Sequence, residues 1–166
     1  STDGMRQIFN AILGGFCASA KFADDVTALA VPVVAATVSL YNKMREEMLP
    51  TPSKSHYTFN LRDVSRVMQG VLQVRAPAVP DADAFLRLWC HESSRVFCDR
   101  LINKADRGWF VGQVQSLLKE APFEREWEEG AVRGIVYGMH MNTSAGVAGA
   151  KYEELELVKS GAKFDE

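Results

Sequence analysis

The sequence predicts a mainly α-helical domain of about five helices, with at most one or two short strands in the C-terminal tail. Three observations carry this expectation. Apolar residues recur at helical spacing in successive stretches between residues 5 and 118. Aspartate or asparagine stands ahead of most of these stretches, where a side-chain oxygen can cap the exposed backbone donors. Proline-bearing segments separate them, and only the glycine-bracketed run 134–138 reads as a strand.

Taken in order, Ile8, Phe9, Ile12, Leu13 and Phe16 form a first helical stripe, and Gly14 and Gly15 predict that the helix stops near Gly15. Asp24 and Asp25 are plausible caps for a long pattern of Val26, Leu29, Ala30, Val33, Val34, Thr37, Tyr41, Met44 and Met48. Pro32 should kink or divide it, because proline lacks the backbone donor and crowds the preceding turn. Pro50-Thr51-Pro52-Ser53 ends the pattern, and an extended connector leads to Asn60. Asn60 is a good cap, and Asp63 can return a bond to it in the manner of a capping box. The helix expected over 61–74 buries Val64, Val67, Met68, Val71 and Leu72, leaving Arg62, Arg66 and Gln69 off the stripe.

Ala76-Pro77-Ala78-Val79-Pro80 is a turn before a cap at Asp81 or Asp83. The following pattern, 84–103, reads as the longest uninterrupted helix. Phe85, Trp89 and Val96 share one side of it, and Glu92, Asp99 and Arg100 fall close to that side. Arg95, three residues after Glu92 and four before Asp99, makes an ion network of Glu92, Arg95, Asp99 and Arg100 available. Asp106 is the expected cap of a last helix carrying Trp109, Phe110, Val114, Leu117 and Leu118. Beyond Pro122 the pattern weakens through an acidic stretch at 124–130, and the small residues of 142–149 predict irregular structure.

The chain of 166 residues is 47% hydrophobic and 24% charged, which suits one soluble globular core. A formal net charge of −2 and the lack of a basic run argue against nucleic-acid binding. No stretch reads as a membrane span or a signal peptide, so no membrane partner is expected. The three cysteines, Cys17, Cys90 and Cys98, form neither an even disulfide set nor a metal-binding pair, and read as reduced, packed thiols of a cytosolic compartment. The first residue is not methionine and a helical pattern begins almost at once, which reads as a piece of a longer chain.

Few residues carry chemistry. Gly15 and Lys21 have the separation of a phosphate loop, but the second glycine and the following Ser/Thr are missing and the segment follows a helix where that loop needs a strand. Cys90, His91 and Cys98 lack a fourth metal ligand. Glu92 and Asp99 could be paired carboxylates for acid–base work, yet a structural ion network accounts for them more simply. His56 and His140 stand in loop-like context without a clear partner. Trp89, Trp109 and Trp127 read as core or domain-contact residues. Arg62 is different: a cation in the first turn of a well-capped helix, where the helix dipole favours it least. Either a surface salt bridge, for instance with Asp63, occupies it, or it serves something outside the packing stripe.

Two blocks resemble the dynein heavy chains. The segment from Pro50 to Gly70, with His56-Tyr57-Thr58-Phe59-Asn60-Leu61-Arg62-Asp63 at its centre, resembles the lid of the third AAA+ module of axonemal dyneins. Leu86-Arg87-Leu88-Trp89-Cys90-His91-Glu92-Ser93-Ser94-Arg95-Val96-Phe97-Cys98-Asp99-Arg100-Leu101 resembles the helix that follows it. Cytoplasmic dyneins more often show Ser-Pro-Arg-Glu where this chain has Asn60-Leu61-Arg62-Asp63. In the tail, Ile135-Val136-Tyr137-Gly138 and Tyr152-Glu153-Glu154 resemble the connection towards the fourth module.

The resemblance implies an AAA+ small (lid) subdomain at 21–120, the end of the large subdomain or a flanking helix at 1–20, and a connector at 121–166. It implies that Arg62 is the sensor-II residue reaching the terminal phosphate of a nucleotide, with Asn60, Asp63 and Arg66 in support. The Glu92, Arg95, Asp99, Arg100 network then braces the lid. The implied cofactors are ATP or ADP with Mg in the intact module and none in the fragment, which alone is not expected to hydrolyse ATP. The implied partners are the large subdomain of the same module and neighbouring AAA+ modules, with microtubules reached only through the parent motor in the cytoplasmic cytoskeleton of a ciliary or flagellar axoneme. Two rival readings are a stand-alone helical adaptor without nucleotide chemistry and a small hydrolase built on Glu92 and Asp99.

Overall fold

Helices α1 (Thr2–Ser19), α2 (Asp24–Ala28), α3 (Ala30–Glu47), α4 (Leu61–Val71), α5 (Ala82–Val96), α6 (Lys104–Lys119) and α7 (Glu129–Arg133) precede strands β1 (Tyr137–His140) and β2 (Lys151–Glu154). The computed structural model describes residues 2–140 and 151–154, so the irregular structure expected at 142–149 lies outside the described residues. The strands pair antiparallel, with Tyr137 opposite Glu154 and His140 opposite Lys151. Short 3-10 turns occupy Pro52–Lys54, Ala76–Ala78 and Cys98–Arg100. Five of the helices are long, as the periodicity predicts, and α2 and α7 are single turns of 5 residues each. No helix among the described residues is long and apolar enough to cross a membrane.

Several boundaries differ from the sequence expectation, each for a local reason. Helix α1 runs through Gly14 and Gly15 and ends only where Lys21 adopts a left-handed backbone, φ 55°. Its buried stripe is Phe9, Leu13 and Cys17, and Ile8 and Ile12 face outward. Asp24 and Asp25 sit inside the first turn of α2, not ahead of it. Asp25 instead accepts from its neighbour Val26 N–H at 2.9 Å and from Ala82 N–H, at the start of α5, at 2.9 Å. The division expected from Pro32 falls at Leu29, which places the proline in the first turn of α3, where its missing donor leaves no bond unmade. Asn103, not Asp106, caps α6, accepting from Asp106 N–H at 2.7 Å.

Helix α5 stops at Val96, seven residues before the expected end at Asn103, and is shorter than α1 and α3. The chain leaves the helix there because Phe97 and Leu101 both enter the core, fully buried, while the 3-10 turn swings Arg100 back towards the connector before α4. Trp89 anchors the centre of the molecule: its indole N–H donates to Thr37 Oγ1 at 2.9 Å, and that hydroxyl donates to Val33 O at 2.7 Å. A buried polar pair thus ties α5 to α3 without leaving an unmet donor.

Helices α4 and α5 are in close contact at Gly70. A Cβ built there would overlap the carboxylate of Glu92, so the bare backbone of α4 makes room for a buried side chain of α5. The hairpin then closes over the same region. Glu154 takes a forked bond from Arg87 of α5, with Nε 3.0 Å from each carboxylate oxygen, and Tyr137 Oη donates to Ala84 O at 3.1 Å.

Candidate functional site

The start of α4 is built by a complete capping box. Asn60 has extended backbone and accepts from Arg62 N–H at 2.9 Å, while Asp63 Oδ2 accepts from Asn60 N–H at 2.9 Å. Two orphan donors of the first turn are satisfied reciprocally, as the spacing of Asn60 and Asp63 predicts. Val64, Val67, Met68 and Val71 bury the opposite face, and Leu72 lies at the C-cap, only partly covered.

Asp63 is 2% exposed, yet it is not left as an isolated charge. Its Oδ1 lies 3.1 Å from Arg100 Nη1 and 3.6 Å from Arg66 Nη1. Arg66 is mostly exposed at 55%, so its pairing contributes little, whereas Arg100 reaches inward. Arg100 Nη2 also donates to His56 O at 3.1 Å and Thr58 O at 2.7 Å, and its guanidinium lies 4.6 Å from the centre of the Phe59 ring. His56, without a partner in the sequence reading, has Nε2 3.0 Å from Arg100 O.

Below this connector sits a second polar cluster. Asp106 Oδ2 accepts from Lys54 Nζ at 2.6 Å and from Tyr57 Oη at 2.9 Å, and the Tyr57 oxygen accepts from Ile102 N–H at 2.9 Å. Burial alone would raise the Asp106 carboxyl, but the bonds from Lys54 and Tyr57 outweigh it and hold the group below its ordinary value. The bond to Asp106 raises Lys54, and burial foremost raises Tyr57, so both remain proton donors at neutral pH.

Arg62 stands apart from all of this. Its backbone N–H joins the cap, but its side chain is exposed and makes no ion pair or hydrogen bond among the described residues. No ion pair joins it to Asp63, whose carboxylate is shared by Asn60, Arg66 and Arg100. A capped helix therefore presents a guanidinium without a partner among the described residues, a fork suited to carboxylate or phosphate oxygens.

The quartet Glu92, Arg95, Asp99 and Arg100 does not form one network. Glu92 and Arg95 pair as expected, with Arg95 Nη2 2.6 Å from Glu92 Oε2, but Tyr152 of β2 supplies the next partner through its hydroxyl. Asp99 is exposed in the 3-10 turn, and Arg100 belongs to the α4 cap. The early end of α5 is the cause, since it removes Asp99 and Arg100 from the helical face that carries Glu92. The same break separates Glu92 from Asp99 as a catalytic pair: Glu92 is fully buried against Gly70. Burial foremost, and then the bond to Glu92, pushes the Tyr152 hydroxyl well above its ordinary value.

Cys17 and Cys90 are buried and Cys98 half-buried, all as free thiols, and burial raises each above its ordinary value. Spacing did not single out Lys54, Tyr57 and Tyr152, and singled out Asp106 only as a helix cap. The one available signal was Asn103, three residues before Asp106, which fits the cap role better and frees Asp106 for a tertiary contact.

The family model described as "Dynein heavy chain, ATPase lid domain" matches residues 9–107. "Dynein axonemal heavy chain 6" of Homo sapiens is 37% identical over 163 residues, covering 98% of this chain and 4% of that protein. "Dynein axonemal heavy chain 1" of Rattus norvegicus is 42% identical over 125 residues, 69% of this chain and 3% of the relative. "Dynein-1-beta heavy chain, flagellar inner arm I1 complex" of Chlamydomonas reinhardtii is 40% identical over 114 residues, 69% of this chain and 2% of the relative. The chain thus spans only a few hundredths of the length of these relatives.

Proposed function

The chain belongs to the dynein heavy chain family, with residues 9–107 matching its ATPase lid domain, and from that premise we propose that it is the lid of the third AAA+ module of an axonemal heavy chain. In this reading the lid closes over nucleotide held by the large subdomain of the same module and relays nucleotide state to neighbouring modules as a rigid-body movement. Arg62 is the sensing residue. The observation that carries the role is its exposed guanidinium, without a partner among the described residues, on a helix whose other charges near the cap are engaged.

The residues fit a nucleotide phosphate in kind. A planar cation with free donors, fixed at one end by a capping box, meets a phosphoryl group without first giving up a competing partner. ATP or ADP with Mg would be bound in the intact module, and the charge on the phosphate is what Arg62 would recognise. Asn60, Asp63 and Arg66 hold the helix start from which Arg62 projects. Hydrolysis belongs to parts of the parent outside this lid, because phosphoryl transfer rests on a positioned phosphate cradle and metal. The segment from Gly15 to Lys21, whose spacing matches such a cradle only in part, is spent largely on the last turns of α1. Microtubules are partners of the parent motor alone, and the names of the relatives support an axonemal, cytoskeletal setting.

The test is Arg62→Ala in the full heavy chain. Nucleotide-dependent closure of the module, read by fluorescence energy transfer between lid and large subdomain, should weaken. The melting temperature of the 166-residue chain should stay level or rise slightly, because removing a first-turn cation relieves an unfavourable dipole interaction of about 0.3–1 kcal/mol. A marked loss of stability in the chain would make Arg62 a structural residue and overturn the reading.

A further inference from the structure

We propose that Arg100 is a positioning residue for the nucleotide-sensing arginine: it locks the connector and the first turn of α4 into the one arrangement from which Arg62 projects. The inference rests on the sensing role of Arg62 proposed above. It does not follow from the resemblance, and helical spacing grouped Arg100 with Glu92, Arg95 and Asp99 instead.

The geometry is specific. One arm of the guanidinium meets Asp63 Oδ1 at 3.1 Å, on the carboxylate whose other oxygen closes the capping box with Asn60 N–H. The other arm gathers two carbonyls of the connector, His56 O at 3.1 Å and Thr58 O at 2.7 Å. The flat face lies 4.6 Å from the centre of the Phe59 ring, the residue just before the cap. His56, Thr58, Phe59 and Asp63 are therefore all bonded or packed to one side chain, and that side chain is only 29% exposed. The backbone of residue 100 contributes as well, since its carbonyl lies 3.0 Å from His56 Nε2.

The chemistry explains why arginine is needed. Asp63 is almost completely buried, and a buried carboxylate without a counter-charge would not stay in the box. Lysine could supply that charge at one point, but not the second arm or the planar face over Phe59. The 3-10 turn Cys98–Arg100 is what aims the side chain, so the early end of α5 and the order of the α4 start are one arrangement. Arg62 lies between the two residues of the box, Asn60 and Asp63, and its direction is set by both.

Two measurements test the proposal. In the 166-residue chain, amide hydrogen exchange at Asn60 and Arg62 should accelerate at least about tenfold in Arg100→Ala, the change produced by losing about 1.4 kcal/mol of local protection, while amides in α5 and α6 keep their rates. Uniform acceleration across the chain, or none at Asn60, would overturn the proposal. Arg100→Lys guards against a variant that fails to fold. It should keep the native circular dichroism and melting temperature yet still accelerate exchange at Asn60, and a full return to wild-type rates would reduce Arg100 to a simple counter-charge and overturn the proposal.

In the full heavy chain, with the phosphate-loop lysines of the other modules replaced, binding of a fluorescent ATP analogue completes a double-mutant cycle. Arg62→Ala and Arg100→Ala should each weaken binding about tenfold, and the double variant should bind no more weakly than Arg62→Ala alone. Multiplying effects would show that Arg100 acts independently of Arg62, against the proposal. Unchanged binding in Arg62→Ala alone would instead remove the sensing role itself, and the exchange data would still decide whether Arg100 orders the α4 start.

Discussion

At the residue scale, the polar side chains that matter are those recruited by more than one element. Asp106 is the clearest case. It stands where a helix cap is expected, but Asn103 takes that role and leaves the carboxylate to Lys54 and Tyr57. Because its value in the folded chain lies below the ordinary one, Asp106 contributes its full stabilisation above about pH 4, the unfolded carboxylate value, and loses it as pH falls through the folded value. Asp106→Asn should therefore lower the urea midpoint at pH 7, and by less near pH 3, where the unfolded carboxylate is already protonated. Equal effects at both pH values would show that the ionised carboxylate is not what holds the cluster. Arg62 is the converse case, a residue whose side chain has no partner among the described residues. Its place in the first turn was legible from Asn60 and Asp63, whereas the pairing of Asp63 with Arg100 is visible only in the folded chain.

At the element scale, glycine illustrates how position decides the sign of a substitution. Gly15 lies inside α1 with nothing near the place a Cβ would occupy, so its flexibility only weakens the helix. Gly15→Ala should stabilise the chain by up to about 1 kcal/mol, the difference in helix propensity. Gly70, inside α4, faces the buried carboxylate of Glu92. Alanine gains the same propensity there, but overpacking costs about 1–3 kcal/mol and displaces a side chain held by Arg95 and Tyr152, so Gly70→Ala should be destabilising in urea titration. A stabilised Gly70→Ala would mean that α4 and α5 separate easily and that Glu92 is not held between them. Propensity places both glycines in the same class, and it misread Gly14 and Gly15 as the end of α1. Only the packing of Phe9, Leu13 and Cys17 against the rest of the molecule carries that helix on to Ser19.

At the scale of the whole molecule, the tail hairpin and the lid helices share one buried carboxylate. Glu92 contacts α4 at Gly70, pairs with Arg95 on its own helix and accepts the hydroxyl of Tyr152 from β2, while Arg87 and Glu154 hold the same strand to α5. Tyr152→Phe should cost about 1–2 kcal/mol in urea unfolding, because it leaves a buried acceptor short of a donor. A neutral substitution would show that the hairpin is seated by Arg87 and Tyr137 alone. Local sequence was enough for the five long helices, the capping box at Asn60 and Asp63, the division near Pro32 and the family, because periodicity, caps and prolines are properties written within a few residues of one another. It took the folded chain to establish that α5 stops at Val96, that Arg100 serves the α4 cap and not Glu92, and that Glu92 looks to Tyr152. Those outcomes turn on which distant groups compete for a buried charge, and a buried charge is satisfied by whichever partner packing brings within reach, whatever its distance along the chain.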